Sequence, residues 1–318
     1  SPTGASGILD LSDTDLAALD EGFERIVIGH DGGAAQNAVI MGSSAFKDPL
    51  HLYGGSLVIN GNSSGVTSMK IALTGSVNGT PIQSGNPALT VNTAAFRIDN
   101  EEINDVWQDA NLNVTIDTGD LLFMNNGTFE VILNEESDPS VQDTGIDITA
   151  TAGNVHRQSG SEGVVTAESL VVDASANIDL RTEVDTLDAS STASGDIDLI
   201  EQSDIDLVDV DTANGAIDVI ASGQVEVTDV ESITDDDAND ISIETNEGAS
   251  SEGDIVLVHL DAKSLGDVTL TSNAAAILDG TQSTENVVLT GDQLTATSAK
   301  GIGSLEDIDV VLSSSANL

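Results

Sequence analysis

The sequence predicts an all-β protein: a parallel β-helix, or β-solenoid, of roughly 20-residue coils, with a short N-terminal helix ahead of it. Three observations predict it. First, short polar–apolar alternations recur, as at Asn177-Ile178-Asp179-Leu180, Asp196-Ile197-Asp198-Leu199 and Ala216-Ile217-Asp218-Val219. Later members are Asp240-Ile241-Ser242-Ile243, Asp267-Val268-Thr269-Leu270, Asn286-Val287-Val288-Leu289 and Asp307-Ile308-Asp309-Val310. Second, Gly-containing turns punctuate them, at Ser194-Gly195, Asn214-Gly215 and Ser222-Gly223. Third, the chain holds only 1 Trp, 1 Tyr and 5 Phe. A β-sandwich normally fills its core with bulkier rings, whereas a narrow coil interior suits Val, Ile, Leu and Ala.

Each run is read from side-chain alternation. In Ile-Asp-Leu, Ile and Leu share one face and Asp takes the other. A run this short cannot bury its apolar face alone. A coil of two or three runs, stacked on the next coil, joins the faces into one core. Second runs follow seven to ten residues after the first, at Val184, Ile205-Asp206-Leu207-Val208, Val225-Glu226-Val227 and Ala276-Ile277-Leu278. Asp254-Ile255-Val256-Leu257 reads as an extra run in the longest step.

Before residue 110 the pattern loosens. Ile8-Leu9-Asp10-Leu11 reads as a strand, and Ser12 caps a short helix ending at Gly22, with Leu16 and Leu19 inward. Strand-like runs resume at Arg25-Ile26-Val27-Ile28, so the coils begin near residue 25. The expected division is 1–24 as cap or connector, 25–110 as N-terminal coils, and 111–318 as acidic repeats. Ser1-Pro2-Thr3-Gly4 has no initiator Met, and Ser313–Leu318 has no evident cap. Both ends read as cuts, so the expectation is a processed or excised piece of a longer chain.

Charge narrows the partners. Asp and Glu number 55 against 8 Lys and Arg, a formal net charge of −47. Nucleic acids and anionic membranes repel such a chain, because phosphate binding needs Lys and Arg. There is no Cys, hence no disulfide or thiolate metal site. The charge is uneven: 21 acids and 5 bases in residues 1–160, and 34 acids and 3 bases in 161–318.

The repeat puts Asp179, Asp198 and Asp218 at matching coil positions, and Asp206 with Glu226 on the following strand. Two readings of these acid ladders stand side by side. Ca²⁺, which prefers oxygen ligands, bridges them between coils; or they form a solvated face adapted to salt. The best single metal candidate is Asp235-Asp236-Asp237 with Asp240, in an irregular insert. Asp209-Val210-Asp211 resembles an EF-hand start, but its twelfth position is Ile220 rather than Glu. Residues 49–98 hold no Asp or Glu and two bases, Lys70 and Arg97. They read either as a contact surface for another copy or a flanking segment, or as composition drift.

Enzyme signatures are weak. A lyase acting on acidic sugars needs clustered cations, yet Arg25, Arg97, Arg157, Arg181 and four Lys are scattered. His30, His51, His156 and His259 show no metal-binding spacing, and there is no Gly-x-Ser-x-Gly elbow. Trp107 reads as filling of the N-terminal coils or as a sugar platform. The expectation is no catalytic activity.

Two segments carry a family resemblance. Leu9 through Gly29, with Ser12-Asp13-Thr14-Asp15-Leu16 and Phe23-Glu24-Arg25-Ile26-Val27-Ile28-Gly29, resembles a module of filamentous-haemagglutinin-like giant bacterial exoproteins. So does the succession Leu265–Thr271, Ala276-Ile277-Leu278-Asp279-Gly280 and Leu294 through Gly303. The resemblance implies a right-handed parallel β-helix, export to the cell surface or medium, and adhesion to glycans, other cells or itself. It implies no catalytic residue. The alternative is a self-assembling extracellular filament or sheath subunit, and a polysaccharide-active enzyme is more distant. Asp stands here where such repeats usually carry Asn, Thr and Ser.

Overall fold

The computed structural model describes residues 18–19, 22–28, 38–41, 44–46, 48, 50–54, 56–59, 63–66, 68–73, 76–77, 80–81, 87–91, 96–99, 102–103, 106–107, 111–116, 119–124, 127–132, 144–246, 253–281, 288–303 and 307–317. Among them all regular structure is β-strand. The helix expected over residues 12–21 lies outside the described residues, save Ala18 and Leu19. The chain divides into two compact units, Ser1–Thr166 and Ala167–Leu318.

In the first unit the chain visits three ladders of parallel strands in a fixed order. The first ladder stacks Ile26–Ile28, Leu50–Gly54, Ser68–Leu73, Asn111–Ile116 and Gly145–Ala150. The second stacks Ala38–Met41, Ser56–Ile59, Pro87–Val91, Asp120–Phe123 and Val155–Arg157. The third stacks Ser44–Phe46, Ser63–Val66, Phe96–Asp99 and Phe129–Ile132. Strands one coil apart pair in parallel, which is the β-helix expected from alternation, and it is under way by Ile26. Leu52, Ile71, Val114 and Ile148 from the first ladder are buried. Each contributes on the order of 1.5–3 kcal/mol by leaving water. Phe123 and Phe129 meet edge to face at 5.2 Å.

The coil length departs from expectation here. Met69 lies under Leu112, a step of 43 residues, and Leu112 under Ile146, a step of 34. Two antiparallel hairpins fill the longer step: Ser76–Val77 with Thr80–Pro81, and Glu102–Ile103 with Val106–Trp107. Trp107 therefore sits on a hairpin outside the coil ladders. A corner between ladders tolerates insertions because the strands on either side keep their pairing, and longer loops cost little extra closure entropy.

The second unit repeats the three-ladder plan on tighter coils. Its first ladder runs Ile178, Ile197, Ile217, Ile241, Val268, Leu294 in register. The second runs Ile205, Val225, Ile255, Ile277, Ile302. The third runs Ala189, Val210, Val230, Leu260, Leu289, Val310. In Ile197–Glu201 the pattern is the one alternation requires: Ile197 and Leu199 buried, Asp198 exposed.

Three runs change place, among them Asp307–Val310, expected in the first-ladder series, whose Val310 stacks on Leu289 in the third ladder. Asn286–Leu289 was expected one coil after Asp267–Leu270, but Leu289 stacks on Leu260 in the third ladder. Leu294–Ser298 takes the position over Val268. The strand Leu289–Ser298 spans two ladders through a bulge near Gly291, so its first half mimics a coil start in sequence. The supposed extra run around Ile255–Leu257 is the ordinary second-ladder strand of its coil.

Candidate functional site

The stacking brings the first set of acids together. Asp179 lies in register with Asp198, and Asp198 with Asp218. Paired strands run about 4.8 Å apart. The column then becomes Ser242, Thr269 and Thr295. Asp206 is in register with Glu226, and Val256 follows. Asp206 also accepts a hydrogen bond from the Thr228 hydroxyl at 2.7 Å.

A third column, on the third ladder, was not anticipated. Asp188 pairs with Asp209, and Ser190, Asp211, Glu231 and Asp261 follow one another coil by coil. Burial, then Asp209, Asp173 and Asp211, raise the Asp188 carboxyl above the usual range. Burial also raises Asp211; the Ser190 hydroxyl, donating at 2.8 Å, opposes this, and Asp209, Glu231 and Asp173 add to it. Lys263 closes the column, its ammonium bonded to Glu231 and, at 2.7 Å, to Asp261. Burial pulls the ammonium pKa down, but the Asp261 and Glu231 carboxylates more than reverse this. The repeated apolar–acid pairs Val210-Asp211, Val230-Glu231 and Leu260-Asp261 were the available sequence signal.

Other acids serve the backbone. At the residue before four of the second unit's first-ladder strands, though not at Ala216, a side-chain oxygen accepts the N–H of the equivalent residue one coil later. Asn177 accepts from Asp196 at 2.9 Å, Asp196 from Ala216 at 2.9 Å, and Asp240 from Asp267 at 2.8 Å. Asp267 accepts from Gln293 at 3.2 Å. The second ladder does the same: Asp204 accepts from Gln224 at 2.7 Å, and Asp254 from Ala276 at 2.7 Å. In the first unit Asp120 accepts both the N–H and Nδ2 of Asn154, at 2.9 and 3.0 Å. The two acids of one Asp-Ile-Asp motif thus do different things. Asp196 fastens the next coil, while Asp198 stands in the outward column.

The insert proposed for metal is largely engaged in such bonds. Asp235 accepts from the N–H groups of Ser264 and Leu265 at 2.9 and 2.8 Å and from the Ser264 hydroxyl at 2.7 Å. The Ser264 hydroxyl, ahead of these backbone bonds, holds the Asp235 carboxyl below its ordinary range. Asp236 accepts from Ala238 at 3.0 Å, and Asp240 from Asp267. Asp237 is exposed. Among the described residues, no group of three or more His, Asp or Glu is arranged to hold a metal ion.

Lys70 and Arg97 belong to different ladders. Lys70 is in register with His51 and Asn113 on the first; Arg97 is in register with Ser64 and Glu130 on the third. The acid-free window therefore wraps around coils rather than forming one strip. Of the histidines, His259 Nδ1 lies 2.7 Å from Asp229 Oδ1, and His156 Nε2 lies 3.6 Å from Asp120 Oδ2. No family model, curated protein or solved structure matches the chain.

Proposed function

We propose that the chain is a non-enzymatic, structural or adhesive β-helix segment of a large secreted or surface-exposed bacterial protein. The observation that carries this is where the polar side chains are used. Asn177, Asp196, Asp204, Asp240, Asp254 and Asp267 each fasten one coil to the next. Chemistry spent on coil-to-coil bonds suits a scaffold that must stay stiff. The partners are glycans, other cells, flanking segments or further copies. Ca²⁺ would act by screening or bridging the acid columns.

Adhesion is tested with beads carrying the purified chain, under flow over polysaccharide-coated glass and bacterial lawns. Retention above beads carrying heat-unfolded chain is expected, and equal retention would sink the adhesive reading. Electron microscopy adds the second arm. Monodisperse particles are expected, whereas fibres of fixed axial repeat would assign a filament subunit instead. Turnover of any polysaccharide in the same panel would overturn the non-enzymatic part.

A further inference from the structure

Two large apolar side chains of the second unit stand in water on consecutive coils: Ile233 is 51% exposed and Leu265 46%. Both lie at the corner between the third and first ladders. Ile233 follows the strand Val230–Ser232, and Leu265 precedes Val268–Ser272. Residues 233–240 fill this corner, where residues 213–216 suffice one coil earlier. The added residues are pinned. The Ile233 N–H donates to the Thr212 carbonyl at 2.9 Å, and the Thr234 hydroxyl donates to the Ala213 carbonyl. Asn239, which is buried, donates from Nδ2 to Asn214 Oδ1 at 3.0 Å and to the Thr234 carbonyl at 2.8 Å. Asp235, two residues after Ile233, accepts the Leu265 N–H at 2.8 Å and so ties the two corners together. Ile233 and Leu265 therefore belong to one hydrogen-bonded knob.

We propose that this knob is a docking site for a cationic peptide segment, which sets an apolar side chain against Ile233 and Leu265 and a Lys or Arg against Asp236 and Asp237. A corner in water needs neither Ile nor Leu, and fixing them costs chain entropy. A fixed frame is what lowers the ordering cost of binding. The rim supplies the sign of the partner. Asp236 and Asp237 are exposed on the same corner. The nearby base, Lys263, already has its ammonium bonded to Glu231 and Asp261, so it does not offset them. Other occupants fit less well. A sugar ring stacks on an aromatic platform, and residues 167–318 contain no Phe, Trp or Tyr. An anionic membrane is repelled, and a second copy brings the same acids face to face. In a cationic peptide the apolar anchor supplies affinity by leaving water, while the charges set orientation and on-rate.

The test separates the apolar anchor from bulk charge. Its probes are a fluorescein-labelled amphipathic peptide of Leu and Lys and a labelled oligolysine of equal charge, read by fluorescence anisotropy in about 0.15 M NaCl. The native chain is expected to bind the Leu/Lys peptide more tightly than oligolysine. The double variant Ile233→Ser, Leu265→Ser is expected to lose about tenfold in affinity for the Leu/Lys peptide, because its anchor surface is gone. Its affinity for oligolysine is expected to stay unchanged. The double variant Asp236→Asn, Asp237→Asn is expected to weaken both probes, and by less in about 0.5 M NaCl. Equal affinity of the native chain for the two probes, or an unchanged Leu/Lys affinity in the serine variant, overturns the proposal, since charge alone would then explain the binding. Should the serine variant fail to fold, the native chain still decides. The methyl NMR signals of Ile233 and Leu265 must move on addition of the Leu/Lys peptide and stay put with oligolysine; shifts confined to other residues refute the site. Self-association of the native chain that the serine variant abolishes, read by sedimentation, would assign the knob to a second copy and overturn it as well.

Discussion

On the first ladder of the N-terminal unit, one step stretches to 43 residues between Met69 and Leu112; in the C-terminal unit no first-ladder step exceeds 27. The described fastenings differ as well. Close glycine corners occur in both units, Gly153 against Gly119 and Gly163 against Gly127 in the first and Gly215 against Gly195 in the second, and to these the first unit's later coils add the Asp120–Asn154 bonds. The C-terminal unit places carboxylates at coil after coil. It also carries more charge, with 33 acids and 3 bases in residues 167–318 against 22 and 5 before them. Regular coils and acid clips go together for a physical reason. A side chain can cap the next coil's N–H only where successive corners superimpose, and insertions at the corner destroy that match.

The sharpest way to break this contrast is to fill a glycine corner. A Cβ at Gly163 would collide with the Gly127 carbonyl oxygen, which is backbone and cannot swing away. Gly163→Ala is expected to cost about 2–3 kcal/mol, at the upper end of overpacking losses. Gly160 has φ +79° but open space around it, so Gly160→Ala carries only backbone strain, about 1 kcal/mol. Urea unfolding followed by circular dichroism separates them; equal losses would mean that close packing is not what holds this corner.

The clip itself is tested one step lower in energy. Asp196→Ala removes the acceptor for the Ala216 N–H and is expected to cost about 1–2 kcal/mol, as loss of a helix cap does. Asp196→Asn is expected to be nearly neutral, because Asn177 does the same work one coil earlier. If Asn were as damaging as Ala, the carboxylate's charge rather than its acceptor geometry would be the useful property.

Much of this was legible in the residues. The Ile-Asp-Leu alternation gave the buried and exposed faces, and the 19- and 20-residue spacing put Asp179, Asp198 and Asp218 in one column. Coil length before residue 110 was not legible, since hairpins such as Val106–Trp107 repeat the strand chemistry without joining a ladder. Leu289 was misplaced because one strand crosses two ladders, and alternation alone does not say which face a run belongs to. The division of labour between Asp196 and Asp198 was hidden for another reason. Both are acids flanking an apolar residue, and only the corner geometry makes one an acceptor. The burial of Glu201 was invisible as well, because a strand-ending Glu ordinarily stays in water.

The smallest effect concerns the third column, where carboxyls crowd without a clip to occupy most of them. Asp188 and Asp211 are both held above the usual carboxylate range, first by burial; Asp209 and Asp173 add to both, Asp211 adds to Asp188 and Glu231 to Asp211, and the Ser190 hydroxyl opposes the rise at Asp211. Such groups stabilise the fold fully below the unfolded Asp value of about 3.9, and lose that contribution as pH rises through the folded value. Asp235 runs the other way. Its lowered carboxyl contributes above the unfolded value and loses that as pH falls through the folded one. The two windows separate, so the C-terminal unit should gain stability from neutral pH down to about 4 and lose some of it below that. Asp211→Asn should flatten the gain without touching the acid-side loss. Added salt should shrink the gain too, because part of it is repulsion between partly exposed charges. The urea midpoint against pH, read for both proteins at low and high salt, carries the test. An unchanged slope in Asp211→Asn would mean that the column is already neutralised by bound cations, and Ca²⁺ matched against Na⁺ at equal ionic strength would then show which ones.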